Sequence, residues 1–93
     1  MEPQPLDHSF TAPIVGDMGP NGWTVVFMPG SSAFFGTGKA VKVVATVDGE
    51  PMTTTFLPSG DGVHLLPIKG AVRTAIGKGI GDEVTVHLEQ RLS

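Results

Sequence analysis

The residue types in this sequence that could act together on a ligand gather around His64. It follows the turn Gly60-Asp61-Gly62 and precedes Lys69 by five residues, with Arg73 four further on. An imidazole can gain or lose a proton near neutral pH, and two neighbouring cations can hold an anion. With Lys42, or the run Thr53-Thr54-Thr55, contributed by a central hairpin, His64, Lys69 and Arg73 outline a small-anion site at one end of a β-rich domain. Lys69 and Arg73, four apart, read first as simply the wet face of a short helix, with the anion site as the alternative.

Other chemistry-bearing patterns fail at named positions. Gly36-Thr37-Gly38-Lys39 looks like the end of a phosphate loop, but that motif needs a glycine at Ala33 and a hydroxyl residue at Ala40. Gly77, Gly79 and Gly81 follow a helical stretch instead of opening one. His8, His64 and His87 show neither the i, i+4 pairing nor the carboxylate neighbour of a metal site. Pro58-Ser59-Gly60 lacks the glycine two residues before the serine that a nucleophile elbow requires. Asp48 and Asp61 each precede glycine, where turn geometry accounts for them. No catalytic residue, metal ligand or cofactor is therefore assigned.

The elements that must carry these residues are mostly strands. His8 to Val15 puts Phe10, Ala12 and Ile14 on one side, and Pro13, lacking a ladder donor, marks an edge or bulged strand. Gly16 to Gly22 reads as loop. In Trp23 to Met28 both alternating faces are apolar, as in a barrel wall covered on its outside. Ser31 to Gly36 could form one helical turn with a serine cap and a glycine stop.

Ala40 to Val47 alternates strictly, and the Asp48-Gly49 that follows favours a two-residue hairpin with positive φ at both positions. That loop length sets Ala45 opposite Met52, Val43 opposite Thr54 and Val41 opposite Phe56. Val63 to Leu66 is extended. Lys69 to Ile76 changes to helical spacing, with Ala71, Val72, Ala75 and Ile76 on one side, Arg73 and Thr74 outside, and Gly77 as the stop. Val84, Val86 and Leu88 form the inner face of a last strand. The expected fold is a mostly β, small barrel of about six strands with one short helix near residues 69–77, preceded by a flexible arm over residues 1–7 and spanning residues 8–90 as a single domain.

Ninety-three residues suffice for one core. Thirteen glycines and eight prolines favour turns over long helices. The absence of cysteine excludes a disulfide framework and thiolate chemistry. No apolar run reaches membrane-spanning length, and the start Met1-Glu2-Pro3-Gln4-Pro5 is unlike a signal peptide, so a cytoplasmic protein is expected. Net charge is −3, and the stretch from Lys39 to Lys78 carries five basic residues against three acidic ones. That is far from the basic stripe of a phosphate-neutralising surface, which disfavours nucleic acid as a partner. A small core with a proline-bearing edge strand is compatible with a homodimer.

The ordered set Phe10-Thr11-Ala12, Pro29, Asp48-Gly49, Leu57-Pro58, Gly62-Val63-His64, Leu66-Pro67-Ile68-Lys69, Arg73, Ile76-Gly77-Lys78 and Gly81-Asp82-Glu83-Val84 resembles the bacterial domain-of-unknown-function family numbered nineteen hundred and five. The resemblance covers about residues 8 to 90 and implies a small double-split β-barrel; it carries no activity to any residue. Pro67-Ile68-Lys69 through Val86 is also similar to the helix-then-strand half of AbrB and MazE-type DNA-binding barrels, but a basic arm is missing. The functional expectation is a non-enzymatic ligand-binding or interaction module with a small anionic ligand at His64, Lys69, Arg73 and Lys42. A dimeric AbrB-like DNA-binding regulator is the first alternative, and a small enzyme using His64 as general base the second.

Overall fold

A computed structural model describes residues 4–18, 22–59 and 62–93, with the side chains of residues 17 and 18 excepted. Along the chain lie β1 (Gln4–Pro13), β2 (Val15–Met18), β3 (Trp23–Met28), α1 (Ser31–Phe35), β4 (Val41–Val47), β5 (Glu50–Pro58), β6 (His64–Pro67), α2 (Gly70–Ile76) and β7 (Glu83–Arg91). The strands form one antiparallel sheet in the order β1-β7-β4-β5-β6-β3-β2.

That order forces the sheet to curl. β1 and β2 stand at opposite ends of it, yet only Ile14 separates them in sequence. A flat sheet of seven strands at about 4.8 Å spacing could not be crossed by one residue, so the two edges must meet. Ile14 is the seam. It is 1% exposed, its N–H donates to Asp82 O at 2.9 Å, and its carbonyl accepts from Gly81 N at 2.8 Å. The result is a curled half-barrel whose inside is the core.

The core follows the period-two pattern of the strands. Val41, Val43, Ala45 and Val47 of β4 and Val84, Val86 and Leu88 of β7 point inward, with Phe56, Leu66 and Met28 completing the interior. In β3, neighbouring Val25 and Val26 point to opposite faces and both are fully buried, as expected of a wall covered on two sides. The Asp48-Gly49 turn has φ of 49° and 87°, and the hairpin pairs Ala45 with Met52, Val43 with Thr54 and Val41 with Phe56, as its loop length required.

The structure departs from expectation in four places. There are seven strands, because Val15–Met18 pairs with β3 where composition suggested loop. A Cβ on Gly16 would lie 2.3 Å from Cδ1 of Ile80, an exposed side chain whose tip can shift. β1 begins at Gln4, inside the segment expected to be an arm, because a bulge between Pro5 and His8 lets Gln4 and Pro5 rejoin the ladder opposite Arg91 and Gln90. There are two helices, since Ser31–Phe35 forms α1; its N-cap is Gly30, without a side-chain capping bond, and the Ser31 hydroxyl is directed elsewhere. In α2 only Val72 is buried and Ile76 half-buried, while Ala71 and Ala75 are exposed and Arg73 is half-buried. A helix this short presents a single i, i+4 contact line to the sheet, and Arg73 flanks that line instead of pointing away.

Candidate functional site

The residues suspected from sequence separate onto two ends of β6. At its start, His64 is completely buried and its ring is fully engaged. Nε2 lies 2.8 Å from Lys39 O, which can only accept, so Nε2 carries the proton. Nδ1 is then an acceptor, and the Ser31 hydroxyl donates to it at 2.7 Å. The same hydroxyl oxygen accepts from the His64 backbone N–H at 2.6 Å. Phe35 and Phe56 stand edge-on to the imidazole, at interplanar angles of 81° and 89°. Both ring nitrogens and the hydroxyl are thus taken up, which makes the Ser31–His64 pair a buried tie between α1, the loop before β4 and β6. The loop containing Gly36-Thr37-Gly38-Lys39 supplies a carbonyl to a histidine.

At the other end of β6, about 10 Å away along the strand, Gly22, Trp23, Thr24, Pro67, Ile68, Lys69 and Arg73 line an open cleft of about 300 Å³. Backbone chemistry builds it. Ile68 N donates to Thr24 O at 2.8 Å, extending the β3–β6 pairing past Pro67 and placing Lys69 as the residue that starts α2. Arg73 then follows one turn on, with the left-handed Gly77 closing the helix by donating to Arg73 O and Thr74 O. The Arg73 side chain folds back toward Gly70, so that a Cβ at residue 70 would come 3.7 Å from Arg73 Nη2.

The two cations of the cleft are underused. Among the described residues neither Lys69 nor Arg73 forms a salt bridge. Arg73 Nε is buried with no hydrogen-bond partner among the described residues, and Lys69 Nζ has only a long contact of 3.4 Å to Thr53 O. A guanidinium and an ammonium so arranged can take an anion, the first through a fork and the second as a point charge.

Lys42 is exposed on β4 opposite Thr55 and does not line the cleft; its backbone N–H donates to Ser93 Oγ. Trp23 is the cleft residue that sequence reading assigned to a strand face alone. It stands directly after Gly22 at the strand's start and keeps 40% of its surface exposed, which no sequence pattern marks.

Two further charged groups tie strands together. Asp48 Oδ2 pairs with Lys78 Nζ at 2.6 Å and Oδ1 accepts from Thr85 N at 2.8 Å, so that the Lys78 bond first and the Thr85 N–H second hold its carboxyl below the usual range. His87 lies between Asp7, 2.9 Å from Nε2, and Glu89, 3.0 Å from Nδ1. The hydrogen bond to Asp7, helped by the charges of Glu89 and Asp7, raises its pKa. Among the described residues no three histidine, cysteine or acidic side chains come together as a metal site, and no helix is long and apolar enough to cross a membrane.

No curated protein matches the chain. A family model does, over residues 10–88, a span that takes in part or all of every strand of the curled sheet, the Ser31–His64 tie and the cleft. The chain therefore belongs to the family described as a domain of unknown function, DUF1905.

Proposed function

We propose that this domain is a non-enzymatic binding module that takes a small anion in the cleft between Trp23, Lys69 and Arg73. The observation that carries the reading is Arg73: a guanidinium whose Nε is buried and unpartnered beside a second cation, with no carboxylate among the described residues near enough to neutralise either. Leaving a buried donor unsatisfied costs about 1–3 kcal/mol, and a turn of the Arg73 side chain that brought Nε to an accepting ligand would recover that cost on binding. Binding is favoured over general-base catalysis because His64 and the Ser31 hydroxyl it could activate are completely buried and neither lines the cleft.

Titration calorimetry with inorganic phosphate and sulfate at low salt tests this. Uptake should vanish in the double variant Lys69→Gln, Arg73→Gln and persist in Lys42→Gln. Uptake indifferent to Lys69 and Arg73 would remove the cleft as the site. Binding of duplex DNA with a steep salt dependence, in place of small anions, would favour a DNA-binding regulator.

A further inference from the structure

We infer that the anion taken by this cleft is carried on a planar aromatic or heterocyclic ring, with Lys69 and Arg73 holding the charge and Trp23 the ring. The inference rests on the anion-binding reading and narrows it to a ligand class. The first ground is size. A cleft of about 300 Å³ has room for about ten water-sized groups at roughly 30 Å³ each. A lone inorganic anion would leave most of that space to water, so the cleft can accept a body as well as a charged group.

The second ground is the division of its walls. Lys69 and Arg73 supply charge from α2 and the residue before it, whereas Trp23 and Pro67 supply apolar surface from β3 and β6. Trp23 is the sole tryptophan of the chain and keeps 40% of its surface exposed, although Val25 and Val26, two and three residues on, are fully buried. An indole offers a π-face on which a flat ring stacks with little demand on its substituents. Pro67 is rigid and is followed by Ile68, which is anchored in the core, so the apolar side is preorganised. Phosphate and carboxylate both meet the guanidinium fork, and either suits the charged side.

The experiment compares three probes on the full chain: phenyl phosphate, methyl phosphate and phenol, with benzoate as the carboxylate arm. Trp23 fluorescence and backbone amide NMR shifts report occupancy. Phenyl phosphate should bind about tenfold more tightly than methyl phosphate, the scale of one stacked ring, and phenol should bind least. Trp23→Leu should erase the tenfold advantage while leaving methyl phosphate unchanged, and Trp23→Phe should keep most of it. Should Trp23→Leu fail to fold, as judged by thermal unfolding, the phenyl-to-methyl ratio in the parent chain and in Trp23→Phe decides alone. Equal affinities for phenyl and methyl phosphate, both weakened by Arg73→Gln, would overturn the ring and leave the anion site standing. No uptake of any charged probe, or uptake unaltered by Lys69→Gln and Arg73→Gln, would overturn both.

Discussion

The two ends of β6 handle polar groups in opposite ways. At the His64 end, an imidazole, a hydroxyl, a backbone N–H and a carbonyl close on one another in a sealed, aromatic-walled space. At the Lys69 end, two cations border an open cleft with bonding capacity unused. Residue type points to His64 as the reactive one, but His64 and its Ser31 partner are both sealed from solvent and away from the cleft. Unused capacity, not chemical versatility, distinguishes a binding site from a structural tie.

Substitutions at the two ends should show up in different measurements, stability at one and binding at the other. His64→Ala leaves a cavity, an unpaired Ser31 hydroxyl and an unpaired Lys39 carbonyl, for an expected loss of about 3–5 kcal/mol in urea denaturation. Ser31→Ala should cost about 1–3 kcal/mol, because it orphans both His64 Nδ1 and the His64 N–H. Arg73→Met and Lys69→Met should lie within about 0.5 kcal/mol of the parent, Arg73→Met gaining if relief of the unpartnered Nε outweighs lost packing. A loss at Arg73 as large as that at His64 would erase the contrast and make Arg73 a structural residue.

What could be read from sequence divides along the same line between local and tertiary causes. The β4–β5 register was legible because Asp48-Gly49 sets it within about ten residues, and the helix over Gly70–Ile76 because a period change and Gly77 bracket it. β2 was not legible, since Gly16 looks like a turn glycine in isolation and the strand exists only through its pairing with β3. Lys69 and Arg73 were found as a pair of cations, but their companion Trp23 comes from β3 through the Ile68–Thr24 bond, which no spacing encodes. The burial of His64 was hidden for the same reason: its partners Ser31 and Lys39 lie in segments with no sequence periodicity linking them to β6.

Asp48 offers a smaller test of the same distinction, as a surface tie whose carboxylate is fully used. Asp48→Asn retains a residue tolerant of the 49° φ while removing the charge paired with Lys78, and should cost about 0.5–1 kcal/mol. Its folded-state pKa is lowered, so the stabilisation is present above the ordinary carboxylate value and disappears as pH falls through the depressed one. Acid titration of stability should therefore be shallower in Asp48→Asn than in the parent. An identical acid limb in the two proteins would mean that the Lys78 pair contributes nothing.

The smallest effect belongs to His87, and its sign is opposite. Contact of both ring nitrogens with carboxylates requires the doubly protonated imidazolium, so the bridge from Asp7 in β1 to Glu89 in β7 exists in full only when His87 is charged. Because the folded-state pKa is raised, the contribution is complete below the ordinary histidine value near 6.5 and is lost as pH climbs through the elevated one. The bridge fastens the bulged part of β1, where Asp7 sits at a φ of 44°, to β7. Its loss should first be felt as faster amide exchange at Arg91, the ladder partner of Gln4, before any change at Ile14 or in the cleft. Salt should weaken the effect, since the Asp7 side chain is 94% exposed, and His87→Gln should abolish its pH dependence. Protection at Arg91 that is flat from mildly acidic to mildly alkaline pH, once corrected for intrinsic exchange, would show that the β1–β7 ladder holds this edge without the histidine.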